Sequence, residues 1–135
     1  MSAIVWDPEF SVNIKVIDEQ HKKLVDTINM LYDAMSEGKG STVLADIFNN
    51  LAEYTTVHFA TEEDFMIRFS YPDYAEHKSA HESCVTKVSD FQKRFNKGEL
   101  SLSIELVTFL VNWLHNHLLE MDQKYKTFFN EKGLF

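Results

Sequence analysis

The sequence predicts an all-α protein, an antiparallel up-down four-helix bundle with an extended N-terminal arm. Three observations carry this. Apolar residues recur at spacings of three and four along four stretches of about 20–25 residues, the period of a buried helix face. Short breaks separate the stretches, as between antiparallel neighbours in a bundle. Only four Gly and two Pro occur in 135 residues, too few for a turn-rich β architecture.

Residues 1 to about 17 show no helical period, and "WDPEFSVNIKVID" reads as an extended arm with a turn at Asp7-Pro8. Asp18 is then the expected N-cap of the first helix. Its stripe is His21, Leu24, Val25, Ile28, Leu31, Tyr32 and Met35. "EGKGS" ends it, with Gly38 or Gly40 as the C-terminal cap. Ser41 or Thr42 is expected to cap the second helix, whose stripe is Leu44, Ile47, Phe48, Leu51, Thr55, His58, Glu62, Phe65 and Phe69. "SYPDY" breaks it, and Asp73 caps the third. There Tyr74, His77, His81, Cys84, Val88, Phe91 and Phe95 form the stripe, and "NKGELS" closes it. The fourth helix is predicted from about Leu102 to Phe128, with Leu106, Phe109, Leu110, Trp113, His117, Met121, Tyr125 and Phe128 inward. At 1.5 Å per residue each helix spans roughly 30–37 Å.

Composition bounds the function. A chain of this length reads as one domain, residues 1–135. With 44% hydrophobic residues it can bury a sizeable core. Lys and Arg number 13 against 21 Asp and Glu, a formal charge of −8. That argues against a nucleic-acid surface, which needs a basic patch, and fits a monomer. Cys84 is the sole cysteine, so no internal disulfide forms and a reducing compartment is implied. "MSAIVWDPEF" has neither the basic start nor the apolar run of a secretory signal. No run approaches the roughly 18 apolar residues of a membrane helix. The expectation is a cytoplasmic protein without membrane insertion.

The chemistry lies on the inward faces. His21, His58, Glu62, His77, His81 and His117 all fall on the apolar stripes, with every helix contributing. Asp122 stands five residues after His117, about 140° away on an ideal helix. It reaches the interior across a wide buried face or through a π-bulge, a feature frequent at functional sites. A lone inward histidine is most often a hydrogen-bonded core residue. Five with an inward carboxylate differ, because buried polar groups need partners and here they have chiefly each other. A shared metal satisfies them together, in the way bundles hold metals. One cysteine excludes a thiolate zinc site. Five imidazoles and two carboxylates exceed one octahedral ion, so two metals sharing the carboxylates, about 3.5–4 Å apart, is the economical arrangement. Imidazole suits Fe, Zn, Cu and Ni alike, so the donors leave the element open. His115, two residues before His117, is expected to face solvent, Cys84 to pack, and Lys22 and Lys23 to sit on a solvated face.

The set "IDEQHKKL", "HFATEE", "HKSAH" and "WLHNHLLEMD", in that order, resembles the hemerythrin family, and the small single-domain form resembles the bacterial hemerythrins. The match runs over nearly the whole chain, including the arm with Trp6 and Asp7. One departure is Asn13, where the family often has Gly; Asn tolerates the left-handed conformation such a position needs. The resemblance implies a non-haem di-iron site bridged by Glu62 and Asp122 and by a solvent-derived oxo or hydroxo group. It implies that His77, His81 and His117 hold one iron, and His21 and His58 the other. On that assignment the first iron has six ligands and the second five, leaving one octahedral position for O2. Leu24, Phe59, Trp113, Leu114 and Leu118 are implied as the pocket lining, an apolar wall that keeps water from the site. The implied function is reversible O2 binding, for storage or for delivery to an O2-consuming enzyme. Rival readings are a di-iron oxidase or peroxidase, and a sensor of O2, redox state or iron acting through a partner. Oxygen-activating bundles of the ferritin type carry Glu-x-x-His pairs, and no Glu here has His three residues later.

Overall fold

A computed structural model describes residues 4–98 and 102–135, apart from the side chain of Ser41. It is an up-down four-helix bundle. The helices are α1 (Lys15–Ser36), α2 (Gly40–Arg68), α3 (Tyr74–Asn96), α4 (Leu102–Trp113) and α5 (Asp122–Glu131). A π-helical segment (Leu114–Met121) joins α4 to α5, so these three form the fourth rod. The expected single α-helix from Leu102 to Phe128 is therefore corrected: it contains a π segment and continues to Glu131. α1 packs on α2 and α4, α2 on α3, and α3 on α4, closing the bundle.

The starts of α1 and α2 differ from expectation. α1 begins at Lys15 with Ile14 at the cap position, so Asp18 is not the N-cap. The Asp18 carboxylate reaches back instead, accepting from Val12 N at 2.8 Å and Ser11 Oγ at 2.6 Å. In the first turn that charge also favours the positive end of the helix dipole. Asn13, at φ +56°, turns the arm there, and its side chain donates to Asn130 Oδ1 at 3.1 Å. Gln123 Nε2 donates to the carbonyls of Glu9 and Ser11, so the arm is tied to both α1 and α5. Asp7 makes the expected turn, accepting from Glu9 N before a short 3-10 turn at Pro8–Phe10.

Gly38 closes α1 at φ +74°, with Lys39 N donating to Ala34 O and Gly38 N to Met35 O, the paired bonds of a Schellman motif. Gly40 is not a cap; it opens α2, where a Cβ would meet Ser103 Oγ at 2.8 Å. α2 has Lys39 at its cap position, so neither Ser41 nor Thr42 caps it. The Thr42 hydroxyl donates to the Lys39 carbonyl instead. Asp73 does stand at the cap position of α3, without a capping side-chain bond. Within "NKGELS", residues 99–101 lie outside the described residues.

Two apolar clusters fill the bundle. The larger contains Leu24, Ile28, Phe48, Leu51, Phe59, Cys84, Leu106, Leu114 and Leu118. The smaller contains Val12, Ile14, Ile17, Met66, Tyr71, Tyr125 and Phe129. Along every rod the residues between the two are the inward polar ones. His21 separates Ile17 from Leu24, Glu62 separates Phe59 from Met66, and Asp122 separates Leu118 from Tyr125. A polar layer thus divides the core.

Candidate metal centre

Among the described residues, the buried polar or charged side chains are His21, His58, Glu62, His77, His81, His117, Asp122 and Ser103. The seven expected ligands make up the layer, none more than 2% exposed. α1 brings His21, α2 brings His58 and Glu62 one turn apart, and α3 brings His77 and His81 one turn apart. The fourth rod supplies His117 and Asp122. Asp122 N donates to His117 O, an i→i+5 bond. The wider π turn brings residues five apart onto one face, which an α-helix would not do.

The donor atoms form two groups that share carboxylates. Oε1 of Glu62 is 2.9 Å from His81 Nε2 and 3.3 Å from His77 Nε2. Oδ1 of Asp122 is 3.0 Å from His77 Nε2 and 2.9 Å from His117 Nε2. The second oxygens face the other way. Glu62 Oε2 is 3.3 Å from His58 Nε2 and 3.6 Å from His21 Nε2, and Asp122 Oδ2 is 3.2 Å from His21 Nε2. His21 and His58 bring their Nε2 atoms to 2.9 Å.

The His21–His58 and His77–Glu62 contacts have hydrogen-bond geometry, but other donors in the layer do not. His81 Nε2, His117 Nε2 and both Asp122 oxygens are buried and make no hydrogen bond, an arrangement costly for a polar core. The donor atoms gather instead in two groups, Glu62 with His77, His81 and His117, and Glu62 and Asp122 with His21 and His58, each within 4.8 Å. Donors on neighbouring corners of one ion's shell, with bonds of about 2.1 Å, stand about 3 Å apart. The separations and the donor chemistry fit cations, and all the donors are nitrogen and oxygen.

Electrostatics agree. Burial lowers the pKa of His21, but the Asp122 and Glu62 carboxylates beside it outweigh that and raise the pKa from 6.5 to about 9. His77 is raised to about 9 by the same two carboxylates against the same burial. Burial raises Glu62, yet His58, His21 and His77 hold it well below its ordinary 4.5. Asp122 is likewise depressed, burial and Glu62 being overcome by His117 and His21. The metal-free protein therefore has a defined pH response. The His21 and His77 contributions are fully present below 6.5 and are lost as pH rises through about 9. The carboxylate contributions are present above their ordinary pKa values and are lost in acid. We expect the melting temperature of metal-free protein to fall from pH 7 to pH 9, and metal addition at pH 7.5 to release protons. A calorimetric pH series and an unbuffered titration read the two; a melting temperature rising towards pH 9 would contradict the assignment.

Three partners lie outside the sequence-derived set. Glu63 Oε2 stands 2.9 Å from His81 Nδ1, and Gln20 Oε1 stands 2.6 Å from His58 Nδ1. Tyr125 donates its hydroxyl to Glu62 Oε2; burial, Asp122 and Glu62 push its pKa well above 10, so the proton stays. Gln20 and Glu63 adjoin His21 and Glu62 in sequence, off the apolar stripes, and Tyr125 lies three residues after Asp122. That spacing was the signal available for Tyr125. Of the expected pocket residues, Phe59 stacks on His81 (centroids 3.8 Å, 2°) and half-buried Trp113 on His117 (4.2 Å, 13°). Leu24, Leu114 and Leu118 are fully buried in the adjoining apolar cluster. His115 is exposed, as expected, and Cys84 is packed in the core.

Comparison with known proteins supplies the family. The hemerythrin HHE cation binding domain matches residues 12–129. A bacteriohemerythrin of Pseudomonas paraeruginosa is 38% identical over 125 residues, covering 93% of this chain and 80% of that protein. The bacteriohemerythrin of Methylococcus capsulatus is 33% identical, with 93% and 95% covered. The crystal structure of a wild-type hemerythrin matches with a TM-score of 0.84 at 31% identity, covering 93% of this chain and 97% of that one. No helix among the described residues is long and apolar enough to cross a membrane. Sequence and architecture agree over nearly the full length of the fold, and the chain, a protein of the non-haem iron type, belongs to the hemerythrin family.

Proposed function

We propose that the protein binds dioxygen reversibly at a di-iron centre, for storage or for delivery to oxygen-consuming enzymes. One observation carries this reading. Each buried carboxylate turns one oxygen to the side of His77, His81 and His117 and the other to the side of His21 and His58. The division supports two ions bridged by Glu62 and Asp122 and a solvent-derived group, with three imidazoles on one and two on the other. His21 and His58 offer fewer imidazoles than the other side, so theirs would be the side with room for O2. A non-haem iron pair held there would supply the reversible electron transfer that O2 binding needs. Everything else is the work of side chains. The carboxylates offset the metal charge, and Tyr125 fixes Glu62. Leu24, Phe59, Trp113, Leu114 and Leu118 offer apolar or aromatic surface, which limits water and proton delivery. A histidine-rich donor set without Glu-x-x-His pairs favours binding over turnover.

The test is anaerobic iron loading with metal analysis, followed by visible spectra in argon, in air and after purging. We expect two irons per chain and a band that air creates and argon removes. One iron per chain, or a band that purging leaves unchanged because the iron has oxidised, would overturn the proposal.

A further inference from the structure

We propose that Glu63 and Gln20 are positioning residues that make the two halves of the centre electronically unequal, one imidazole backed by a negative charge and its counterpart by a neutral amide. The inference rests on the di-iron reading above and deepens it.

The hydrogen bonds fix the direction of each contact. Gln20 Nε2 donates to Thr61 Oγ1 at 3.2 Å, and the Thr61 hydroxyl spends its own proton on the Val57 carbonyl at 2.8 Å. Thr61 is thereby an acceptor towards Gln20, so the Gln20 oxygen is the atom that faces His58. His58 Nδ1 must donate, which leaves the Nε2 lone pair pointing inward. On the other side the Glu63 carboxylate, an acceptor only, takes the Nδ1 proton of His81. Both rings are thus locked in the tautomer a metal requires.

The acceptors differ in charge. A carboxylate behind an imidazole draws on its Nδ1 proton, enriches the ring and makes Nε2 the stronger donor. A neutral amide does this weakly. The Glu63 carboxylate is only partly buried, at 21% exposure, on a cleft of about 430 Å³ lined by Thr56, Phe59, His81 and Val85. Gln20 lines a separate cleft of about 350 Å³ with Lys23, Tyr54 and His58. The anion therefore stands behind the half with three imidazoles, and the amide behind the half with two. The first half is tuned to hold the higher metal charge. The second stays poorer in electrons.

Two reciprocal substitutions test this. Glu63→Gln keeps an acceptor and removes the charge; Gln20→Glu adds a charge at the matching place. Iron content is measured first, then the reduction potential by spectroelectrochemistry. We expect both variants to retain iron, Glu63→Gln to shift the potential upward and Gln20→Glu to shift it downward. Glu63→Ala, which removes the acceptor altogether, should bind metal about 10–100-fold more weakly. Full iron loading with potentials unmoved in both variants would overturn the inference and leave the di-iron reading intact. Glu63→Gln losing iron as completely as Glu63→Ala would also overturn it, because Glu63 would then hold the fold rather than tune the ring. Wild-type protein that takes up no iron would overturn the di-iron reading and this inference with it.

Discussion

Glu62→Ala is expected to abolish metal binding and to destabilise the bundle, and Asp122→Ala to do the same. Glu62 faces His58 on its own helix, His21 on α1 and His77 and His81 on α3, and it accepts the Tyr125 hydroxyl. Truncation leaves those groups clustered in a dry layer with one buried carboxylate, Asp122, where there were two. Removing one partner from a buried charged network costs on the order of 3–5 kcal/mol. In a domain of this size that is a fall in melting temperature of roughly 10–15 °C. The loss of bound metal adds to it, because metal binding is linked to folding. Glu62→Gln separates the causes: it fills the space but not the charge, so it should recover part of the stability and little of the metal. Metal analysis and thermal denaturation of the three variants are the measurements. A variant that retained two irons and the native visible spectrum would remove that residue from the bridging position.

Leu114→Ala is expected to shorten the lifetime of the oxygenated protein several-fold while iron remains bound. Leu114 is fully buried, opens the π segment, and lies three residues before His117. Trp113 beside it stacks on that ring. Removing the side chain opens a cavity in the apolar wall and costs about 2–5 kcal/mol. Where the wall adjoins the centre, the cavity admits water and with it protons, and the site oxidises irreversibly. Three roles give three results. A pocket residue gives faster decay together with a lower melting temperature. A core residue remote from the site gives a lower melting temperature alone. A surface residue gives neither. Following the visible spectrum and the melting curve on the same preparation separates them.

The buried layer was legible in the sequence because its residues break the pattern that encloses them. A histidine on an apolar stripe is conspicuous, and seven polar groups converging from four helices have few partners but each other. Asp122 was the hard case. Five residues after His117, it faces the layer only because the rod widens into a π segment, and the sequence offered that as one of two routes. Helix starts were less legible. Asp18 has the chemistry of a cap but spends its carboxylate on Val12 and Ser11 of the arm, a tertiary contact no local pattern encodes. Gln20 and Glu63 escaped for the same reason. Each sits off the stripe beside His21 or Glu62, and its contact depends on which ring a different helix presents to it.

The clasp between the arm and α5 bears on when the centre can exist. Val12, Ile14 and Ile17 pack with Tyr125 and Phe129, and Asn13 bonds to Asn130, 117 residues later. A ribosome adding about 5–20 residues per second has released the arm several seconds before its partners emerge. His117 and Asp122 leave in the same late interval. Until then the nascent chain carries four imidazoles and Glu62 on helices that have no fourth rod to close against. Such a half-site is wet and short of donors. The full donor set therefore exists only after Asp122 has left the ribosome, in the same interval as the late contacts that seal the smaller cluster.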